Sequence, residues 1–156
     1  MVGASAGTPV RLGRRPAPSA IRPAAASVRS VDMRLEVVPL PVSDVERSLA
    51  FYRDEVGFHL DHDVRPGNGM RVVQLTPPGS ACSIVFGVGI GDSSVAPGSV
   101  RGVHLVVDDI EAARQSLVDR GVDVSAVDDM GGVKYAHFTD PDGNSWALQE
   151  SGSRTP

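Results

Sequence analysis

The sequence predicts an α+β fold made of two copies of one unit, each a strand, a helix and three further strands. Two repeated signals support this prediction. The turn Thr139–Gly143 is matched in the first half of the chain by Thr76–Gly79, with proline and glycine at the positions that favour a tight β-turn. The helix start Val42–Glu46 is matched in the second half by Val107–Glu111.

Each copy carries signals for a helix start and a helix end. Ser43 with Glu46, and Asp108 with Glu111, have the spacing of a capping box, in which side chains satisfy the free backbone N–H groups at a helix start. Two helices are therefore predicted to begin there. Apolar residues follow at helical spacing and a glycine closes each helix: Val45, Leu49, Tyr52, Val56 and Gly57 in the first copy, and Ile110, Ala113, Leu117 and Gly121 in the second.

Alternating apolar residues after each helix predict three strands per copy. These are Phe58–Val64, Met70–Leu75 and Ala81–Val88 in the first copy, and Val122–Val127, Val133–Phe138 and Ser145–Glu150 in the second. The chain is accordingly divided into a first module at residues 33–90, a linker rich in Gly, Ser and Pro at 91–99, a second module at 100–150 and a C-terminal tail at 151–156.

Residues 1–32 differ from the rest of the chain in composition and charge. Residues 1–31 hold five arginines and no acidic residue, whereas the whole chain has a formal net charge of −4. Because the segment is mainly Ala, Pro, Ser and Gly without periodicity, it cannot bury enough apolar surface to offset the cost of ordering. We expect a disordered, dispensable tail before Met33, or alternatively a targeting segment.

Composition also excludes several classes of partner. An acidic body whose single lysine is Lys134 argues against nucleic acid, which needs a basic surface. No apolar run approaches the roughly 18 residues of a membrane span. The single cysteine, Cys82, excludes an intrachain disulfide and is typical of a small apolar residue on a strand. We expect a cytoplasmic protein with neither nucleic-acid nor membrane partners.

Three stretches of the repeat resemble a known family. They are Val42–Tyr52 with Gly57-Phe58, Val107–Ile110 and Asp140–Asn144. With the internal repeat, they make residues 34–150 resemble the vicinal oxygen chelate superfamily, which includes glyoxalase I, bleomycin-resistance proteins, fosfomycin-resistance enzymes and extradiol dioxygenases. The resemblance implies two β-α-β-β-β modules forming one concave-sheet cleft, and a homodimer. One scaffold hosts many chemistries, so function must be argued from the site.

The resemblance also implies four metal ligands, which this sequence lacks. The family's ligand positions correspond here to Val37, Gly102, Ala147 and the repeat mate of Ala147, Ser83. None is a His, Asp, Glu or Cys, the side chains that most often hold such metals. We expect no metal and no other cofactor, with a divalent ion at a displaced position as the alternative.

The period of two along a strand predicts which side chains face the cleft. The predicted polar set comprises His104, His137, Tyr135, Arg71, Ser83 and Gln149. A few convergent polar groups among apolar walls are typical of a small-molecule site. His104 and His137 are candidate catalytic acid/base groups, and the other four are candidate ligand contacts. Each could equally be an ordinary strand residue, and His59 and His62 are assigned to a solvated edge.

Two functions remain open from the sequence. The first is a glyoxalase/bleomycin-resistance-like protein that binds a planar or aromatic small metabolite without the family's metal. The alternative is a lyase or isomerase of the glyoxalase type, in which His104 and His137 transfer protons or a displaced metal acts. The lack of ligating side chains at the family's four metal positions favours binding, and the two histidines favour an enzyme.

Overall fold

A computed structural model describes residues 30–152 of the chain, together with Gly3 and Gly7. Most of the predicted tail at 1–32, and most of the C-terminal tail at 151–156, lie outside these residues. The fold described below belongs to the unit Arg34–Pro156.

The chain forms two four-stranded sheets, each accompanied by a helix. The first module contains β1 (Val37–Pro39), α1 (Val45–Ala50, continued as a π-helix over Phe51–Val56), β2 (His59–Gly67), β3 (Met70–Thr76) and β4 (Ser83–Val88). The second contains β5 (Val103–Val106), α2 (Ile110–Asp119), β6 (Asp128–Asp129), β7 (Val133–Thr139) and β8 (Ser145–Ser151). The strand orders β1-β4-β3-β2 (sheet 1) and β5-β8-β7-β6 (sheet 2) are equivalent, so the predicted two-module α+β fold is confirmed.

The two sheets share one hydrophobic core, to which both helices contribute. Sheet 1 contributes Val73, Leu75, Ile84 and Phe86, and sheet 2 contributes Ala136, Phe138, Trp146 and Leu148. Burying a large apolar side chain of this kind stabilises a fold by about 1.5–3 kcal/mol. Because side chains alternate along a strand, the residues between these point away from the core. We call this second surface the outer face of each sheet; the two outer faces therefore lie on opposite sides of the shared core.

The predicted helix ends are confirmed, whereas the predicted helix starts are displaced by one residue. Gly57 and Gly121 have φ of 90° and 92°, the left-handed conformation that glycine adopts without strain. At the N-termini the capping side chains belong to Asp44 and Asp109, which accept hydrogen bonds from backbone N–H groups three residues on, at 3.0 and 2.9 Å. Ser43 does not cap the helix because its hydroxyl and backbone N–H both donate to Asp142.

The predicted strand Val122–Val127 is wrong, since the strand in this region is the two-residue β6. Arg114 on α2 donates to the carbonyls of Ser125 and Val124, which removes these acceptors from any strand ladder. The Ser125 hydroxyl accepts from the His137 N–H at 2.9 Å in place of a backbone carbonyl.

Neither helix among residues 30–152 has the length and apolarity that crossing a bilayer requires.

The turn Asp140–Asn144 between β7 and β8, the inter-module turn, is joined to α1 through a buried polar network. Asp140 accepts hydrogen bonds from the Tyr52 hydroxyl at 2.8 Å, from the Asn144 side-chain amide at 2.7 Å and from two backbone N–H groups of the turn. The Trp146 indole N–H donates to the Tyr52 oxygen at 3.0 Å. Burial, and then the adjacent Asp140 carboxylate, raise the pKa of Tyr52 far above its ordinary value, so its hydroxyl stays protonated.

The same turn also holds the start of α1. Asn144 donates to the carbonyl of Pro41 at 3.0 Å, and the Asp142 carboxylate accepts from Ser43 and pairs with Arg47 at 3.2 Å. Each polar side chain of this second-module turn, Asp140, Asp142 and Asn144, therefore has at least one partner in the first module.

Candidate functional site

The outer face of sheet 2 brings together four of the predicted site residues. Ala147 on β8 pairs with His104 on β5 and with His137 on β7, so the two histidines flank it in one row across the sheet. Tyr135 pairs with Gln149 in the adjacent row. Directly paired residues share a face, which places all five side chains on the outer face of sheet 2.

Three rings of this face contact one another over a cavity. The Tyr135 and His137 rings are nearly parallel, with an interplanar angle of 7° and centroids 6.4 Å apart, and the His104 ring lies 6.1 Å from that of Tyr135. Together with Met130 and Val133 they line a cavity of about 410 Å³, which we call the second-sheet site. Parallel rings offer flat faces for stacking, and the two imidazoles and the phenol can donate or accept hydrogen bonds at its edge.

Met130 was not identified from the sequence as a site residue. It lies in the turn between β6 and β7, where its N–H donates to the Val133 carbonyl at 2.9 Å and its side chain is 70% exposed. A thioether is polarizable and adapts its shape to aromatic partners, so Met130 can cover a ligand held at the rings. The Gly131-Gly132 pair beside it, with φ of 73° and 92°, was the signal of a tight turn at this position.

Ser83 lies on the outer face of the other sheet, apart from the second-sheet site. It is buried, and its hydroxyl is 2.6 Å from the Thr76 hydroxyl and 3.3 Å from the Gln74 amide nitrogen. Thr76 in turn donates to Asp61, and this hydrogen bond is the main reason why the pKa of Asp61 is lowered. Ser83 is thus bonded to its strand neighbours.

His59 and His62 are both exposed on β2, the last strand of sheet 1, as expected for a solvated edge. His59 is 3.0 Å from Asp61, with a side chain that is 78% exposed.

The prediction that Arg71 faces the cleft is wrong. Its guanidinium pairs with Asp63 at 2.8 Å and with Glu46 on α1, and its side chain is only 11% exposed. These two carboxylates, Asp63 first, raise its pKa.

The error at Arg71 comes from the alignment of the two repeats. That alignment made Val73 on β3 the counterpart of His137 on β7, whereas the structure places Val73 in the core as the counterpart of Ala136. The two strands are therefore displaced by one residue from the predicted alignment. A shift of one residue moves a strand side chain to the opposite face.

The same reasoning corrects the repeat mate of Ala147. Ala147 pairs with His104 on the parallel edge strand, and the residue that pairs in this way in sheet 1 is Val85, which faces Pro39. Val85 is thus the counterpart of Ala147, and Ser83 is not.

The family's ligand positions do not fit a divalent cation. Val37, Val85, Gly102 and Ala147 carry no ligating side-chain atom, and the hydroxyl of Ser83 is engaged with its neighbours. Among the residues that the structure describes, no cluster of three or more His, Cys, Asp or Glu side chains is arranged to hold a metal.

Comparisons with known proteins agree with this architecture. The family model described as Glyoxalase/Bleomycin resistance protein/Dioxygenase superfamily matches residues 34–148. TnmS3, an antibiotic binding protein from Streptomyces sp. CB03234, is 34% identical with a TM-score of 0.70, and the match covers 80% of this chain and all of that one.

Two further solved structures are similar. A glyoxalase/bleomycin resistance protein from Streptomyces sp. CB03234 is 36% identical with a TM-score of 0.64, covering 74% of this chain and 98% of that one. A superfamily member from Sphaerobacter thermophilus DSM 20745 is 31% identical with a TM-score of 0.68, covering 77% and 98%. No match was found among curated protein sequences.

Proposed function

The chain belongs to the Glyoxalase/Bleomycin resistance protein/Dioxygenase superfamily, and we propose that it binds a planar aromatic small molecule at the second-sheet site without the family's metal. The observation that carries this proposal is the Tyr135–His137 pair, whose nearly parallel rings face a cavity of about 410 Å³. Sites of this size, mostly apolar with a few polar groups, are typical for small molecules.

The polar groups define where the ligand's own polar atoms would lie. A planar ring stacked on Tyr135 would bring its edge toward the imidazoles of His104 and His137, and aromatic pairs of this kind contribute about 0.5–1.5 kcal/mol each beyond burial. A hydroxyl or acid group on the ring could hydrogen-bond to either imidazole. The ligand class is therefore a flat aromatic compound with a hydroxyl or acidic substituent.

The similarity to TnmS3 supports binding and sequestration over catalysis. TnmS3 is described as an antibiotic binding protein, and it is similar to this chain over its whole length. By extension, an aromatic antibiotic or a related metabolite is the proposed natural ligand, and the proposed setting is the cytoplasm.

Binding of matched flat and saturated probes tests this proposal. We expect 2-naphthol to bind more tightly than decahydro-2-naphthol, which has the same skeleton but no aromatic face. Tyr135→Ala should remove this preference, whereas Tyr135→Phe, which keeps the ring, should retain it. Equal affinity for the two probes, or a preference that survives Tyr135→Ala, would contradict stacking at this site.

The alternative function is a lyase or isomerase, and the placement of two histidines in one row favours it. His104 and His137 flank Ala147 on neighbouring strands, within reach of one ligand. His104→Ala and His137→Ala would weaken a binder by about 0.5–1.5 kcal/mol per lost hydrogen bond, whereas an enzyme would lose about 10²–10⁴ in rate. Mass spectrometry of the bound compound separates the two: unchanged compound supports binding, and conversion that collapses in both variants supports catalysis.

A homodimer is part of the proposal. The outer faces of the two sheets lie on opposite sides of one chain, so the two faces can meet only when a second chain is present. A second copy could place the outer face of its sheet 1, with Ser83, opposite the second-sheet site. The exposed apolar residues Val106 and Met130, each exposed by 70%, are the expected contacts. Light scattering should give twice the chain mass, and Val106→Asp should shift it toward the monomer; a monomeric wild-type protein would reject this element alone.

A further inference from the structure

The two modules repeat one another, so each contact that joins them has a counterpart. The inter-module turn Asp140–Asn144 packs against the β1–α1 junction of the first module. The counterpart is the turn Pro77–Ser80: the Ser80 N–H donates to the Pro77 carbonyl at 3.0 Å, as the Gly143 N–H donates to the Asp140 carbonyl at 3.0 Å. It approaches the β5–α2 junction of the second module.

We call the packing of the inter-module turn on the first module the first contact, and that of the turn Pro77–Ser80 on the second module the second contact. The second contact is open, whereas the first is filled by side chains. Among residues 30–152, no hydrogen bond joins the turn 77–80 to residues 104–120, and a half-open cavity of about 550 Å³ lies between them. We call it the inter-module cavity. Its apolar lining includes Val56 at the end of the first helix, Phe58 just beyond that end, and Leu105, Leu117 and Leu148.

One aromatic residue of the first contact, Tyr52, has a smaller counterpart that lines the cavity, Leu117. Leu117 on α2 lies seven residues after the first helical residue, as Tyr52 does on α1. Ile84, the counterpart of Trp146 by strand pairing, does not line the cavity. Tyr52 and Trp146 fill the first contact with two rings whose centroids are 5.8 Å apart. The shorter Leu117 side chain leaves open space where the other contact holds the Tyr52 ring.

One cation lies at the rim of this cavity. The Arg120 guanidinium donates to the Ser116 carbonyl and hydroxyl, both at 3.0 Å, and packs over the backbone at Gly57, where an added Cβ would lie 2.2 Å from it. In the described part of the chain no carboxylate pairs with Arg120. The guanidinium is thus held in one place by neutral partners and can accept an anion.

We propose that the inter-module cavity is a second binding site, separate from the second-sheet site, for a small aryl carboxylate. The aromatic ring lies beside Leu117, where the other contact has the Tyr52 ring, and packs against Phe58 and Leu148. The carboxylate pairs with Arg120 at the rim. A one- or two-ring compound fits a cavity of this volume, and an affinity of about 0.1–1 mM is expected for such a small ligand.

The test uses 2-naphthoate and its neutral analogue 2-naphthalenemethanol on the full chain, with amide NMR shifts to locate each probe. For 2-naphthoate we expect shifts at Phe58, Leu105 and Leu117. Leu117→Tyr, which restores the residue type of the first contact, should fill the cavity and abolish this binding without lowering the melting temperature. Arg120→Gln should weaken 2-naphthoate about tenfold and leave the analogue's affinity for the cavity unchanged.

Two controls separate binding in this cavity from binding elsewhere on the protein. Arg65→Gln removes an exposed arginine elsewhere on the first module and should not change the affinity for 2-naphthoate. Tyr135→Ala damages the second-sheet site and should leave 2-naphthoate in the inter-module cavity, so this inference can fail or hold independently of the proposed function. His104 lines both cavities and is therefore not a suitable control.

Several results would overturn the proposal. They are no shifts at millimolar 2-naphthoate, shifts confined to the second-sheet site, or an affinity that Arg120→Gln leaves unchanged. Should Leu117→Tyr fail to fold, Arg120→Gln decides alone, because its side chain is exposed at the rim and its loss leaves the core intact.

Discussion

The two turns that follow β3 and β7 have the same place in the repeat and opposite effects on the molecule. The inter-module turn Asp140–Asn144 carries an acid and an amide that are almost fully buried and bonded to the first module. The turn Pro77–Ser80 has no such side chains and leaves a cavity against the second module. A duplicated backbone thus keeps its shape while a few side chains decide whether a contact becomes a polar anchor or an open space.

The outer faces of the two sheets differ in the same manner. The central row of sheet 2 reads His137, Ala147, His104, whereas the equivalent row of sheet 1 reads Gln74, Val85, Pro39. Equivalent positions therefore present two imidazoles on one sheet and none on the other. Four predictions test these differences.

The largest effect is expected from removing the acid of the inter-module turn. Asp140→Ala leaves the Tyr52 hydroxyl, the Asn144 amide and two turn N–H groups without their acceptor in a buried site, which should cost about 3–5 kcal/mol of unfolding free energy. Urea unfolding of the variant measures this loss. Pro77→Ala, at the equivalent position, is the control and should change stability by less than about 1 kcal/mol; equal losses would show that the two turns do not differ.

The second prediction adds one side chain to the row of histidines. Ala147→His should create a three-imidazole site for Zn²⁺ or Ni²⁺, because the new ring lies between His104 and His137. At a metal concentration a hundredfold above Kd, binding stabilises the fold by about 2.7 kcal/mol.

Isothermal titration calorimetry and a metal-dependent melting temperature check this outcome. Val85→His places the same ring between Gln74 and Pro39 and should gain no comparable affinity. Equal metal affinity in the two variants would mean that His104 and His137 do not contribute to binding, which would contradict the prediction.

The third prediction removes one oxygen from the buried network. Tyr52→Phe keeps the ring but deletes the hydroxyl that donates to Asp140 and accepts from Trp146. The expected loss is about 1–3 kcal/mol, less than for Asp140→Ala, because Asp140 keeps its other donors. The variant that combines Tyr52→Phe with Asp140→Ala should lose less unfolding free energy than the sum of the two single losses, since both changes break the same network. Additive losses would mean that Tyr52 and Asp140 act independently.

The smallest effect is expected at Ser48, on the side of α1 that faces the shared core. Its hydroxyl is fully buried and finds no hydrogen-bond partner among the described residues. Ser48→Ala removes an unsatisfied polar atom and should leave the protein unchanged or more stable by up to about 1 kcal/mol. The counterpart on α2 is already alanine, Ala113, so Ala113→Ser is the reverse test. A clear loss from Ser48→Ala would reveal a bond formed by this hydroxyl.

Much of the fold could be predicted from local sequence. Gly57 and Gly121 marked the helix ends, and the proline and glycine of Asp140–Asn144 marked a turn, because each depends on the backbone preferences of a few adjacent residues. The spacing of the repeat then gave the order strand, helix and three strands twice.

The side chains that face outward on a strand were predicted correctly where they were read by alternation within the second module. His104, Tyr135 and His137 lie together as expected because they belong to the same module. Arg71 and Ser83 were placed by carrying one fixed offset over from the second module; the offset is wrong by one residue at Arg71, which faces the other way, and by two at Ser83, which keeps its face. The true offset is shorter at Val73 and shorter again at Val85, because the connections between strands differ in length. One residue of error exchanges the two faces of a strand.

Short-range periodicity and turn chemistry were enough to specify the two-module α+β fold and the ring cluster of the second-sheet site. The partners of the buried polar groups, in contrast, depend on how the whole chain packs. Asp140 and Tyr52 are 88 residues apart, and Asn144 and Pro41 are 103 apart. Three of the four donors to Asp140 come from its own turn, whereas the distant partners are brought by the packed chain and no local pattern specifies them. The same packing, with Leu117 in place of Tyr52, leaves the inter-module cavity open.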